Sequence, residues 1–327
     1  MRALMLYEHG GPEKLTRVDV PTPSPGAGEV LVRIHAAAIN PVDIKIREGL
    51  LIGPALPAVL GADLAGTVEK LGEGVTDFQI GDAVYGCVGG INGMGGTLVD
   101  YCLADARLLA PKPQSLTFRE AAALPLVAIT AWQGMEKLAL AADETLLVHG
   151  GTGGVGHVVI QLAKALGAKV VATVGSEDGA AMARDLGADA VVNYRHEPVA
   201  DYLARLTGGA GFTAVFDTAG GSNLATSFEA AAIGGRIVTI NARLAVDLGP
   251  MHSKALSLHL VFMLLNLLNA QARSELGTIL RQVSTMVDAG KLRPLIDPAR
   301  FCLDTAPDAH RLLASGKARG KVVVDIV

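Results

Sequence analysis

Aromatic residues are scarce: Phe, Trp and Tyr make up 4% of the 327 residues, and there is a single Trp. A core must then come from Ala, Val, Leu and Gly, the residues that closely packed α/β layers require. Cysteine is nearly absent. Cys87, Cys102 and Cys302 show neither CxxC spacing nor a disulfide framework, so reduced thiols and a cytoplasmic protein are expected. No excess of one charge stands out either. The 28 basic and 32 acidic residues give −4, without a basic cluster, which argues against a nucleic-acid partner.

Long apolar runs are missing as well. The start, MRALMLYEHGGPE, is too short in apolar residues for a signal peptide. Residues 256–268 are apolar but contain His259 and Asn266, and they fall short of the ~20 residues that span a bilayer. A buried or interface helix is expected there, and no membrane partner. The eight histidines lack HxxxH or HExxH spacing, so none reads as a metal ligand. No Gly-Lys-Ser/Thr closes a mononucleotide loop, and Ser115, Ser176 and Ser222 lack the context of a nucleophile elbow.

What is present is hydrophobic: half the residues are apolar and only 18% charged. A chain of this length exceeds one ordinary core, so two domains are expected. Residues up to about 120 read as β-rich, with strands over 29–35, 64–71, 80–85 and 97–103 and loops at Pro21, Pro23, Pro25 and Gly26. Gly89 to Gly96 reads as a mobile loop or a tight pair of turns. Helices follow over 118–124 and 128–138. From Glu144 strands and helices alternate, which means βαβ units and a parallel sheet. The last strand, beginning Lys321-Val-Val-Val, resembles the first region in texture, so the C-terminal segment is expected to return there. The expected division is 1–123 with 268–327 for one domain, and 124–267 for the other.

The chemistry-bearing motif is Gly151-Thr152-Gly153-Gly154-Val155-Gly156. A lone GxGxxG is weak evidence, but this one follows an apolar strand and opens a helix, as a dinucleotide site requires. Gly151 is expected to allow the tight turn, Gly153 the approach of a pyrophosphate, and Gly156 close packing of helix on strand. An NAD site usually carries an acid at the tip of the second strand. Here that strand ends Ala172-Thr-Val-Gly-Ser176 without one. Ser176 can donate to a 2′-phosphate, and Tyr194 and Arg195 can stack on adenine or pair with phosphate. Glu177 and Asp178 would repel it. NADPH is favoured, with NADH still open.

Several segments together resemble the medium-chain dehydrogenase/reductase superfamily, in its zinc-free quinone oxidoreductase (zeta-crystallin-like) branch. They are Ala36-Ala-Ala-Ile-Asn-Pro-Val-Asp43, Gly61-Ala-Asp-Leu-Ala-Gly66, Gly81-Asp-Ala-Val-Tyr85, Ala122-Ala-Leu-Pro125, Thr130-Ala-Trp132, the glycine turn, Lys164-Ala-Leu-Gly-Ala168, Leu186-Gly-Ala-Asp189 and Asn193-Tyr-Arg195. The resemblance covers essentially the whole chain. It implies a GroES-like catalytic domain, an inserted Rossmann domain with a doubly wound parallel sheet, an active cleft between them, and usually a homodimer. The motif Asn40-Pro-Val-Asp43-x-Lys45 is similar to that of the alkenal/enone reductases. Where zinc alcohol dehydrogenases use a Cys and a His, Asn40 and Ala62 stand, so no metal is expected. Gly179 stands where bacterial quinone reductases often have Lys.

Without zinc, polarising an alcohol or simple ketone is hard, whereas a conjugated acceptor needs only donors for the oxygen that gains negative charge. Lys45 is the expected donor. Asn40 is expected to bond the substrate carbonyl or the cofactor, and Asp43 to orient Lys45 or the nicotinamide ribose. Spacing alone makes Lys45 a solvated lysine, Asp43 a helix cap and Asp63 a structural acid. Asn241, just past a strand at the carboxyl ends of the sheet, is expected to border the nicotinamide, and the resemblance adds Thr130, Lys317 and Arg319 to the residues near the cofactor. The expected substrate is a small hydrophobic carbonyl compound or quinone. Two other functions stay open, a cofactor-binding protein with little turnover and a diverged alcohol dehydrogenase.

Overall fold

A computed structural model describes all 327 residues. Contacts divide the chain into two units, 1–129 with 264–327, and 130–263. The borders expected from the sequence lie six residues (129 against 123) and four residues (267 against 263) away.

The first unit opens with β1 (Arg2–Leu6), β2 (Leu15–Asp19) and β3 (Glu29–Ile39), then helix α1 (Pro41–Arg47). Next come β4 (Ala58–Val59), β5 (Asp63–Leu71), β6 (Ala83–Cys87), β7 (Tyr101–Asp105) and β8 (Leu109–Pro111), and the helices α2 (Phe118–Ala122) and α3 (Pro125–Leu138). The border between the units falls inside α3.

The second unit alternates strand and helix. Its elements are β9 (Thr145–His149), α4 (Gly156–Ala165), β10 (Lys169–Val174), α5 (Glu177–Asp185), β11 (Ala190–Asn193) and α6 (Val199–Thr207). They continue with β12 (Phe212–Asp217), α7 (Asn223–Ala230), β13 (Ala231–Thr239), α8 (Gly249–Lys254) and β14 (Ser257–Leu260). The six strands pair in parallel in the order β11-β10-β9-β12-β13-β14. The order reverses between β9 and β12, and ligands of such sheets bind outside the strands' carboxyl ends at that switch point. Helices cover both faces of a parallel sheet, so its central strands are buried runs such as Leu146-Leu-Val-His149. The core between sheet and helices is built from Leu147, Val171, Val192, Phe212, Val215 and Ile237.

The chain then returns to the first unit with α9 (Leu264–Leu268), α10 (Arg273–Asp288), β15 (Phe301–Cys302), α11 (Ala306–Ala314) and β16 (Val322–Asp325). β16 pairs antiparallel with β3, and β3 with β5, in a sheet ordered β15-β16-β3-β5-β6-β8 with β7 also on β3. Tyr85 on β6 donates to the Leu280 carbonyl of α10 at 2.6 Å.

One expectation fails in detail. Residues 256–268 are not one helix: they form the edge strand β14 and then the short helix α9. The glycine-rich stretch 89–96 is a turn, closed by Gly90 N–H on the Gly95 carbonyl at 3.0 Å. No helix is long and apolar enough to cross a membrane.

Candidate active site

The glycine turn lies at the carboxyl end of β9, beside the switch point. Its tight bend belongs to Gly150, at φ +73°, rather than to Gly151 as expected. Gly151 serves packing instead, because a Cβ there would stand 2.7 Å from the Ala172 Cβ on β10. At Gly156 a Cβ would meet the Gly150 carbonyl oxygen at 2.1 Å, so the start of α4 closes on the turn only with glycine. Gly153 differs: its Cβ would meet nothing closer than 3.2 Å, and the residue is exposed. Thr152, Gly154 and Val155 donate none of the turn's backbone hydrogen bonds. The turn therefore offers N–H groups and a helix N-terminus to an anion, as a pyrophosphate cradle does. The Thr173 side chain steadies it from below, accepting the Gly150 N–H at 3.2 Å.

Ser176, Tyr194 and Arg195 come together at the ends of the paired strands β10 and β11. A Cβ on Gly175 would lie 2.7 Å from the Tyr194 hydroxyl and 3.3 Å from Arg195 Nε. Ser176 caps α5 by accepting the Gly179 N–H at 3.1 Å, which leaves its own O–H proton as a donor. Glu177 and Asp178 occupy the first turn of α5, where acids suit the helix dipole. Past β13, the Asn241 carbonyl accepts the Gly221 N–H at 2.9 Å. The loop after β12 is gathered by buried Asp217, which takes the N–H groups of Ala219 and Gly220 and the side chains of Asn223 and Ser227. Thr130 is buried within α3.

The other expected residues lie in the first unit. Lys45 is exposed on α1. Lys317 and Arg319 are exposed between α11 and β16, with Arg319 N–H held by Asp297 at 2.8 Å. Asn40 does not face outward as a contact to a substrate carbonyl would need, and of the two readings of Asp43 the structure shows the helix cap. Asn40 is fully buried, and its amide is engaged: Nδ2 donates to Asp63 Oδ2 at 2.9 Å, and Oδ1 accepts from Lys321 Nζ. A side chain so enclosed does not face a substrate carbonyl. Asp43, 1% exposed, does not reach exposed Lys45; it turns back to accept the Asn40 N–H at 2.7 Å and caps α1.

Strand register explains the cluster. Val322 stands opposite Ile39, and Asp63 opposite Ala38, so Lys321 and Asp63 flank the end of β3 from either side. Cys87 stands opposite Asp63 on β6. Lys321 Nζ lies 3.4 Å from Asp63 Oδ2, and Asp63 Oδ1 accepts the Leu126 N–H at 2.9 Å in the first turn of α3. Burial pushes the Asp43 carboxyl up to about 7, against the hydrogen bond from Asn40. Burial also raises Asp63, opposed by Lys321, and raises the Cys87 thiol well above its ordinary range. Sequence reasoning missed Lys321. Its one signal is a lysine opening the apolar run Val-Val-Val.

A nucleotide cradle on a 3-2-1-4-5-6 sheet, joined to a β-rich unit, defines a dinucleotide-dependent class. Comparison with known proteins narrows it. Residues 26–114 match the alcohol dehydrogenase GroES-like domain, and residues 186–324 match the zinc-binding dehydrogenase family. The chain is 31% identical to the quinone oxidoreductase of Rattus norvegicus over 328 residues, covering 99% of this chain and 97% of that protein. It is 34% identical to the 2-methylene-furan-3-one reductase of Solanum lycopersicum, over 99% of this chain and 79% of that one. The structure of Escherichia coli quinone oxidoreductase complexed with NADPH superposes with a TM-score of 0.89 at 30% identity, covering 99% of this chain and all of that one. The chain belongs to the medium-chain dehydrogenase/reductase superfamily and is an oxidoreductase.

The zinc of one family description does not fit these residues. No three His, Cys, Asp or Glu side chains form a metal-holding group, and the cation facing the Asp63 carboxylate is a lysine. Catalytic zinc takes about three protein ligands.

Proposed function

We propose that this protein is a zinc-independent, NADPH-dependent reductase that transfers hydride to a quinone or an α,β-unsaturated carbonyl compound. The observation that carries the reading is the glycine cradle, whose positions 151 and 156 exclude a Cβ while Gly153 is exposed at its rim. Residues 151–156 would hold the pyrophosphate, and Ser176, Tyr194 and Arg195 the adenosine end with its 2′-phosphate. Arg195 supports NADPH over NADH. The names of the rat and tomato relatives, a quinone and an exocyclic enone reductase, support the acceptor class.

When bound, the reduced nicotinamide supplies the hydride. The chain's own contribution on the acceptor side is Lys45, whose exposed ammonium stabilises negative charge developing on the acceptor oxygen. One such donor is worth ~3 kcal/mol, on the order of a hundredfold in rate. Asn40 and Asp43 act from within, as the buried seat of the helix that carries Lys45. Asn241, Thr130, Lys317 and Arg319 complete the proposed cofactor contacts. The protein is proposed to be a cytoplasmic homodimer.

The test is NADPH oxidation with a small panel of quinones and enals, alongside NADPH binding and metal analysis. Expected are acceptor-dependent oxidation, activity retained after chelation, and a turnover in Lys45→Ala lowered about a hundredfold with NADPH affinity unchanged. Binding without turnover on any acceptor would make the protein a cofactor-binding member of the superfamily. Stoichiometric zinc with alcohol oxidation would make it a diverged alcohol dehydrogenase.

A further inference from the structure

Lys321 is 3% exposed immediately before β16, 281 residues from Asn40. An ammonium taken out of water costs several kcal/mol unless its partners are in place. Here they are the Asn40 amide oxygen, Asp63 Oδ2 at 3.4 Å and the Ile39 carbonyl at 3.4 Å. Two carboxyl groups, Asp43 and Asp63, are buried in the same cluster, and the charge of Asp63 favours a proton on Asp43. Lys321 is the cation that opposes this at both acids.

The arrangement also fixes an orientation. An amide can be turned over with little change in shape, but its oxygen only accepts and its nitrogen only donates. Lys321 demands the oxygen of Asn40 and Asp63 demands the nitrogen, so one orientation remains. Asn40 is the residue before α1, and its N–H is held by Asp43. Asp63 holds an N–H of α3 in the same way. The N-terminal turns of two helices are thus tied to one lysine from the far end of the chain.

We infer that Lys321 is a positioning residue for the reductase site: by fixing the Asn40 amide and balancing the buried carboxylates, it holds the first turn of α1 and so the placement of Lys45. The inference rests on the reading of Lys45 as the acceptor's donor. Misplacing a reacting group by about 1 Å costs on the order of a hundredfold.

The experiment compares wild type, Lys321→Met, Lys321→Arg and the double variant Lys321→Met/Asp63→Asn. In Lys321→Met, kcat on an enone falls at least about tenfold while KM for NADPH stays within about twofold, because the cradle is untouched. The inflection of the kcat–pH profile moves up by about one unit, since the carboxyls lose the charge that favoured ionisation. Lys321→Arg keeps the wild-type inflection. Hydrogen exchange of the α1 amides is followed in parallel, and it needs no turnover. It speeds up at least about tenfold in Lys321→Met, with β11 amides unchanged as the control. Should the single variant not fold, the double variant, which removes both charges of the pair and so leaves no net change of charge at Asp43, is read by α1 exchange alone, with faster exchange expected. Wild-type exchange in α1 together with an unmoved profile in Lys321→Met, or wild-type exchange in the double variant, overturns the inference. A wild type that reduces no acceptor defeats the functional reading instead, and α1 exchange then decides the role of Lys321 alone.

Discussion

Replacing Asp43 by Asn keeps an oxygen within reach of the Asn40 N–H and removes an acid that burial raises to about 7. In the unfolded chain this carboxyl ionises near pH ~3.9. Between that value and about 7, the folded protein carries a proton that the unfolded chain has released. Stability therefore falls as the pH rises through this window, and the loss is complete above it. About three units at ~1.4 kcal/mol each make roughly 4 kcal/mol, lost by the wild type and not by Asp43→Asn. Asp100 and Asp105 are held below the usual carboxylate range by their arginine partners; they titrate alike in both proteins and cancel in the difference. The unit that holds Asp43 is best followed by urea-dependent hydrogen exchange of β3 and β5 amides between about pH 5 and 8. The wild-type opening free energy should fall relative to the variant by ~1.4 kcal/mol per unit up to about pH 7, then run parallel. Parallel curves throughout would refute the reasoning, and would mean that Asp43 is ionised in the folded protein across the range.

Two glycines of the cradle should separate folding from binding. Gly156→Ala sets a Cβ 2.1 Å from the Gly150 carbonyl oxygen and should lower stability by roughly 1–3 kcal/mol on thermal or urea unfolding. Gly153→Val sets a Cβ 3.2 Å from the Gly150 carbonyl oxygen, a tight contact that a shift of a few tenths of an ångström in the turn relieves, so the unfolding midpoint should fall less than in Gly156→Ala while NADPH affinity, measured by fluorescence titration, drops tenfold or more (about 1.4 kcal/mol). Arg195→Ala should weaken NADPH about tenfold by loss of a charge-assisted hydrogen bond and leave NADH within about twofold; equal losses would remove Arg195 from the 2′-phosphate. The edge strand β14 is followed by exposed Phe262 and Leu265, with Leu260 itself 55% exposed, and this is the proposed subunit contact. Leu260→Lys should turn a dimer into a monomer in light scattering, and a monomeric wild type at micromolar concentration would rule the dimer out.

The parts of the fold that were legible in the sequence are those with a local cause. Strand–helix alternation after Glu144 follows from short apolar runs broken by glycine, and the cradle was readable because strand, glycines and helix are contiguous. Even there the division of labour among the glycines was not. Gly150 lies outside the GxGxxG spacing, and the need for no Cβ at Gly151 comes from Ala172 on the neighbouring strand. Residues 256–268 failed for a different reason. An apolar run lacks the periodicity that separates a buried strand from a helix, and pairing with β13 decided it.

The motif around Asn40 shows how far local pattern carries. Residue types chosen for chemistry, an amide, an acid and a lysine at short spacing, are divided in the structure between buried and exposed positions. Which position each takes depends on direction. Asp43 points back at its own helix cap, and Lys45, two residues on, points out. Asn40 is turned inward by Asp63 and Lys321, partners 23 and 281 residues away. No spacing rule links those positions. The antiparallel register of β16 and β5 on β3 does, and it is set by the hydrophobic pattern of all three strands rather than by any residue of the cluster. A buried lysine that opens an otherwise apolar strand is the one trace such a cluster leaves in sequence, because an ammonium is buried there only when acids from elsewhere in the chain come to meet it.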